Sequence, residues 1–410
     1  MPSTSDLVVV GAGVMGGWTA FWARRAGLET VLADAWGPGN PRATSADETR
    51  IIRSAHGRDT FYPGWSRRAR EHWIRFGGEW GEELFVQAGA IWFAHREDGF
   101  ETASEATLAA AGIPVERLTP DEVAGRWPGT GVADLAFALF EPEGGLLMSR
   151  RGVRAVAAAF TRDGGRLSQA SLRPGRVAGG RLVDAVAADG TRSPAGTFVF
   201  ACGPWLPGLF PGLLEPLIRV TRQDVLFFGP TAGDGRFTAD RSPAWVDYDR
   251  AVYGVPAVDG RGFKIASDAY GPAFDPTDGE RLAEPRSVDE ARRFLADRFP
   301  DLAHRPIVEA RVCQYETTPD TNFIIDRHPE LENVWLVGGG SGHGFKHGPR
   351  IGEYVVERLL GAPVGPGEER FSVTRPRGAP PGLRSGSYPL TGSGPSGTSM
   401  STRPSSTRTG

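Results

Sequence analysis

The chain has 410 residues, 40% hydrophobic and 23% charged, enough to bury one large core or two. A formal net charge of −3 with both signs scattered gives no electrostatic reason to expect nucleic acid or an anionic membrane as a partner. No stretch approaches the roughly 18 apolar residues of a membrane span, and MPSTSDLVVVG runs into a strand without a signal-peptide core, so a cytoplasmic protein acting on small molecules is expected.

In chain order, DLVVVG (6–11) reads as a short apolar strand entering glycines, residues 14–26 carry helical spacing, and ETVLADA (29–35) is a second strand ending in an acid. From Tyr62 to Glu82, Trp65, Ala69, Trp73, Phe76 and Trp80 recur at three- and four-residue intervals, one buried face of a helix whose rings read as core. Between 165 and 201, short strands punctuated by glycine turns end in TFVFAC. The segment 216–275 is rich in aromatic and β-branched residues and suits a second, mainly antiparallel sheet, and 288–299 reads as a helix. VWLVGGGSGHG followed by PRIGEYVVERLLG repeats strand, glycine-rich turn and helix, so the chain returns to its first domain. Residues 376–410 carry Gly, Pro, Ser, Thr and Arg with no acid, and a disordered tail is expected there.

The GAGVMG segment places Gly11, Gly13 and Gly16, with Ala12, Val14 and Met15 between them, at a strand-to-helix turn, and Asp34 and Ala35 close the next strand. The first glycine permits the tight turn, the second lets backbone approach a pyrophosphate, and the third lets helix and strand touch. The helix N-terminus favours the phosphates, and Asp34 can accept hydrogen bonds from a ribose. This is a dinucleotide site, which by itself does not separate FAD from NAD.

Two residue types are scarce enough to be informative. Of 46 basic residues only Lys264 and Lys346 are lysine, either by chance or because each needs a compact ammonium that arginine cannot supply. Cys202 and Cys313 are the only cysteines, too few for a disulfide framework or a zinc site, and no metal is expected. By type alone each reads as a small buried hydrophobe.

Five ordered landmarks, ETRIIRSAHG (48–57), RWPG (126–129), the segment around Lys264, VCQYETTPDTNFIID (312–326) and SGHGFK (341–346), make the chain resemble the monomeric sarcosine oxidase family. That family falls within the D-amino-acid-oxidase-like flavoproteins. The resemblance implies an α/β (α+β) fold, with a Rossmann-like FAD-binding domain (1–85, 146–215 and 311–375) interleaved with a mainly antiparallel-sheet substrate domain (86–145 and 216–310). It implies FAD attached through its 8α carbon to Cys313, an amino acid substrate and O2 as the small-molecule partners, and a monomer. Arg50 corresponds to the arginine against one face of the flavin, with Thr44 and Thr49 in the loop wrapping the cofactor. Lys264 corresponds to the lysine that promotes reaction with oxygen, and Arg53 with Lys346 to the pair that clamps the substrate carboxylate.

Tyr253 and Tyr315 correspond to tyrosines lining the substrate cavity, although a buried tyrosine is also an ordinary core ring. Gly342, His343, Gly344 and Phe345 bring backbone near the flavin, and Leu172 marks a backbone contact at the adenine end. Where the family's sarcosine-oxidising members carry histidines, this chain reads Thr44, Ser45 and Ala46 in the wrapping loop and Asp268 in the cavity. The aspartate resembles the cyclic imino acid oxidases of the same family. The expected activity is oxidation of an N-methyl or cyclic amino acid to an imine with release of hydrogen peroxide. The alternative is a dehydrogenase passing electrons to a carrier, or a multi-step tailoring oxidase of a cyclic amino acid.

Overall fold

The structure is a computed structural model that describes residues 5–377. Apart from Pro376 and Arg377, the segment expected to be a disordered tail lies outside the described residues.

The first sheet places Ser5–Val10 between Thr30–Asp34 and Arg192–Phe200, all parallel, with Arg166–Gln169 outside the former and Val334–Gly338 outside the latter. A parallel strand covered on both faces has no polar side to show, which is why LVVV is buried throughout. Alternate residues feed different cores. Leu7 and Val9 join Trp18, Phe21, Trp73 and Phe76 on one face, and Val8 and Val10 join Phe198 and Phe200 on the other. The helix Val14–Arg25 begins where the sequence spacing placed it, and the helix Phe61–Trp80 lays its tryptophan face against it. Trp18 and Trp73 meet edge to face with centroids 5.3 Å apart, and each such buried ring contributes about 1.5–3 kcal/mol over exposure. These rings are core, and they have a second effect: Trp73 Nε1 donates to the Lys346 carbonyl at 2.9 Å, tying the helix to a site residue.

The second sheet runs Ile307–Thr317, Arg219–Phe228, Phe263–Ser267, Val252–Val255, Ala244–Asp247, Ala90–Ala94, Phe137–Glu141, Glu116–Leu118, antiparallel except between Ala244–Asp247 and Ala90–Ala94. The helix Pro285–Arg298 covers one face over Trp245, Phe263 and Ile265. With a period of two, Lys264 and Ala266 turn to the other face, where Val225, Phe227, Tyr253 and Cys313 also lie. The sequence boundary drawn at 310/311 falls inside the strand Ile307–Thr317. Its ladder to Arg219–Phe228 is continuous from Thr317 to Glu309, so Cys313 sits on the antiparallel sheet. A third, small sheet pairs Thr49–Ile52 and Phe85–Val86 with Gly145–Met148 and carries Arg50 to the seam between the two large sheets.

Candidate functional site

One cavity of about 280 Å³ follows that seam from the first glycine turn to the antiparallel sheet. At one end, Gly11 has φ +102 and a Cβ there would lie 2.4 Å from the Ala201 carbonyl oxygen, while a Cβ on Gly16 would lie 1.9 Å from Gly11 O. Only glycine permits this cradle. Asp34 closes it by accepting from the amides of Ala12 at 2.8 Å and Trp36 at 2.9 Å, so the acid fixes the turn as well as lining the cavity. Ser45 Oγ accepts from Val14 N at 3.0 Å and pins the following loop to the helix start. Ala35 and Leu172 also line this end.

The loop 44–50 is organised by one guanidinium. Arg50 donates to Asp47 at 2.9 Å and to the carbonyls of Thr44 and Thr49 at 2.8 Å and of Ala46 at 2.6 Å. The same group stands 3.8 Å from Cys313 Sγ, a positive charge against the sulfur. Burial pulls the Arg50 pKa down, but the charges of Cys313 and Asp47 outweigh it and hold it above the usual arginine range. Cys202, by contrast, gives its thiol to Val10 O at 3.3 Å, and burial, with Asp34 and Glu316 nearby, pushes it far above the usual thiol range.

Lys264 reaches the same loop from the antiparallel sheet. Its ammonium is buried, paired with the Asp47 carboxylate and donating to Thr49 O at 3.0 Å, and it does not line the cavity, whereas Asp47 does. Asp47 achieves this with φ +76, a strained setting for a residue with a Cβ. Burial alone would raise the Asp47 pKa, but Lys264 and Arg50 outweigh it and hold the carboxyl below its usual range. Burial draws Lys264 below the usual lysine range against the opposing pull of Asp47. Tyr253 lies with its ring 5.9 Å from this ammonium, and burial raises its phenol well above the ordinary value.

At the far end the cavity is walled by Arg53, Trp92, Tyr248, Tyr253, Tyr315 and Lys346. Arg53 donates to Ala55 O and lays its guanidinium 5.0 Å from the Trp92 ring centre. Lys346 Nζ lies 3.2 Å from His56 Nε2. Cys313 and Tyr315 share a strand face, and the Tyr315 hydroxyl donates to Asp268 at 3.1 Å. Cationic groups and a carboxylate therefore border one space. Gly342, His343, Gly344 and Phe345 also line it, and His343 is held through Nε2 to Thr321 O at 3.0 Å.

The residues present fit FAD. The glycine cradle leaves room for a pyrophosphate, and the Thr44 hydroxyl is buried at the cavity wall with no partner among the described residues. Thr49 Oγ1 is likewise buried without a partner, but Thr49 does not line the cavity.

Sequence reasoning passed over Ser45 as a contact, and Asp47, His56, Trp92, Tyr248 and Glu316 altogether. Glu316 is buried at the cavity wall, and burial pushes its carboxyl up to about 8. A lone acid inside the buried strand end VCQYETT was the available signal. His56, His343 and His347 bring ring nitrogens within 4.8 Å of one another.

Residues 6–358 match the family described as FAD dependent oxidoreductase. Monomeric sarcosine oxidase of Bacillus sp. (strain B-0618) is 29% identical over 381 residues, covering 92% of this chain and 97% of the relative. N-methyl-L-tryptophan oxidase of Yersinia pestis (strain Pestoides F) is 31% identical over 362 residues, covering 86% and 94%. Among solved structures, L-proline dehydrogenase from P. horikoshii shares the fold, with a TM-score of 0.80 at 20% identity over 91% of this chain and 98% of that one.

Proposed function

The chain belongs to the family of FAD dependent oxidoreductases, and on that premise we propose that it oxidises a secondary-amine α-amino acid, N-methylated or cyclic, to an imine. One observation carries this reading: Arg53 and Lys346 border the same cavity as Cys313 and the hydrogen-bonded pair Tyr315–Asp268. An arginine and an ammonium hold a carboxylate from two sides, which fixes the α carbon. Asp268 sets a negative charge where the amine nitrogen gains positive character, and Tyr315 orients that carboxylate. Trp92 and Tyr248 offer flat apolar walls to a ring or N-alkyl group. The relatives named for sarcosine and N-methyl-L-tryptophan support the substrate class.

Bound flavin supplies the redox chemistry: the amine gives up two electrons and two protons on becoming the imine, and O2 takes them up as H2O2. Gly11, Gly13, Gly16 and Asp34 would hold the adenine and phosphate half, and Arg50, Thr44 and the turn 342–345 the flavin half. Cys313, beside Arg50, would hold the flavin through a thioether to the 8α carbon, a linkage that replaces one S–H and one C–H bond and whose two electrons and two protons pass in the end to O2. The reading takes the protein as a cytoplasmic monomer with two interleaved domains, the strand Ile307–Thr317 belonging to the antiparallel sheet; among the described residues no helix is long and apolar enough to cross a membrane.

A second reading, with electrons passing to a carrier instead of O2, is favoured by the pairing of Lys264 with Asp47, which leaves the ammonium offset and outside the cavity wall.

Acid precipitation of the purified protein, with the mass of the intact chain, tests the cofactor. A yellow pellet carrying one FAD, lost in Cys313→Ser, is expected; yellow colour only in the supernatant would reject the covalent link. A peroxide-coupled screen of N-methyl and cyclic amino acids then tests the reaction. Substrate-driven bleaching of the flavin without peroxide would select the carrier reading.

A further inference from the structure

His56 is fully buried and makes two hydrogen bonds whose directions can be assigned. Its Nδ1 lies 2.8 Å from the Ser54 carbonyl oxygen. A carbonyl only accepts, so Nδ1 carries the proton and Nε2 presents a lone pair. That lone pair faces the Lys346 ammonium at 3.2 Å, which must donate. Burial, reinforced by the charges of Lys346 and Arg53, holds the imidazole pKa well below the usual histidine range. The loop carrying it is fixed in turn: Glu141, itself buried, accepts from Ser54 N at 2.6 Å and from Trp92 Nε1 at 2.8 Å.

We propose that His56 is a positioning residue for substrate recognition, a neutral imidazole that accepts one N–H of Lys346 and so aims the remaining ammonium donors at the carboxylate of the amino acid. The proposal rests on Lys346 being a carboxylate ligand, as read above. A lysine side chain has four rotatable bonds and carries about 2 kcal/mol of rotamer entropy, so an ammonium without an anchor points poorly. A neutral acceptor restrains it without cancelling its charge, as a carboxylate in the same place would.

The three-histidine cluster also has the spacing of a metal site, but its chemistry differs. The groups facing His56 are Lys346, Arg53, His343 and His347, of which two are cationic side chains. His343 points its Nε2 to Thr321 O, and the His56 lone pair is taken by an ammonium. A divalent cation there would face that ammonium at close range.

The test uses the holoenzyme, with pyrrole-2-carboxylate as an unoxidisable cyclic carboxylate and pyrrole-2-carboxamide as its neutral twin, each titrated through the flavin absorbance. His56→Ala is expected to raise the carboxylate Kd by roughly tenfold or more, the worth of one hydrogen bond to a charged group, and to leave the carboxamide Kd within about twofold. His56→Gln, whose side-chain oxygen reaches about as far as Nε2, should restore carboxylate binding to within about threefold, whereas the shorter His56→Asn should not. If His56→Ala yields no folded holoenzyme, the Gln and Asn variants carry the comparison. Unchanged carboxylate binding in these variants, with a loss in Lys346→Met, overturns the positioning role and leaves the clamp standing. Unchanged binding in Lys346→Met overturns the clamp itself, and one transition metal per chain in untagged holoenzyme overturns the proposal in favour of a metal site.

Discussion

Asp47→Asn tests the electrostatics of the loop 44–50. The Asp47 carboxylate is 3% exposed and pairs with Lys264 on one side and with Arg50, at 2.9 Å, on the other. Removing one partner of a buried pair leaves an uncompensated charge, at a cost of about 3–5 kcal/mol. Here three cations lose a partner, Arg311 at 3.6 Å being the third, although Arg311 keeps Glu48 and Glu309, Arg50 keeps its carbonyl partners and Lys264 keeps Thr49 O. The expected loss is therefore about 3 kcal/mol, at the lower end of that range. Lys264→Met should cost less, because Asp47 retains Arg50. The double variant Asp47→Asn/Lys264→Met should recover part of the single Asp47→Asn loss, since the most buried of the three stranded cations is gone. Urea unfolding at matched flavin content is the assay, because differing occupancy would shift stability by itself. The reasoning fails if Asp47→Asn loses less than about 1 kcal/mol, or if the double variant loses at least the sum of the two singles.

Three further outcomes follow from the same geometry. Lys264→Met should slow reoxidation of the reduced enzyme by O2 by about tenfold, less than the 100- to 1,000-fold seen on losing an unopposed donor, because Asp47 already offsets the ammonium; stopped-flow mixing with oxygen reads this, and an unchanged rate would favour the carrier reading. Asp268→Ala should lower kcat/KM for a cyclic imino acid by roughly 10- to 100-fold, Tyr315→Phe by less, and the double variant should match Asp268→Ala, since the tyrosine acts through the aspartate. Unchanged turnover by Asp268→Ala would remove its role. Burial pushes the Glu316 carboxyl up to about 8 in the folded state, from the 4.5 of an exposed glutamate. The folded state therefore keeps a proton that the unfolded state has lost, and this residue's contribution makes stability fall as pH rises between these values. Glu316→Gln should remove that slope, so that its advantage over the parent widens up to about pH 8; a difference independent of pH would contradict the assignment.

Much of the fold was legible because long apolar periodicities report one-dimensional facts. LVVV, the tryptophan face of Phe61–Trp80 and the C-terminal repeat of strand, turn and helix all appear where their spacing places them. The path of the strand Ile307–Thr317 was not legible in the same way. It pairs with Arg219–Phe228, nearly ninety residues away, and no local signal states such a pairing, so a domain boundary was drawn through it. In the site, Cys313 and Tyr315 could be placed together because they stand two apart on one strand. The partners of Lys264 and Lys346 could not, because Asp47 lies 217 residues from the one and His56 lies 290 from the other.

The anchors of the four cations also determine what each can do, which their residue types alone would not. Arg50 spends most of its donors on carbonyls and Asp47, so it serves as the frame of the loop and offers its remaining charge to the Cys313 sulfur. Lys264, matched to a full carboxylate, presents a dipole whose field falls off faster than that of a charge. Arg53 meets a carbonyl and an aromatic face, and Lys346 meets an imidazole that burial keeps neutral. A neutral partner restrains orientation without cancelling charge, which is the combination the proposed carboxylate clamp requires. On the proposed clamp, a neutral amine without a carboxylate should be a poor substrate even where it fits the aromatic walls.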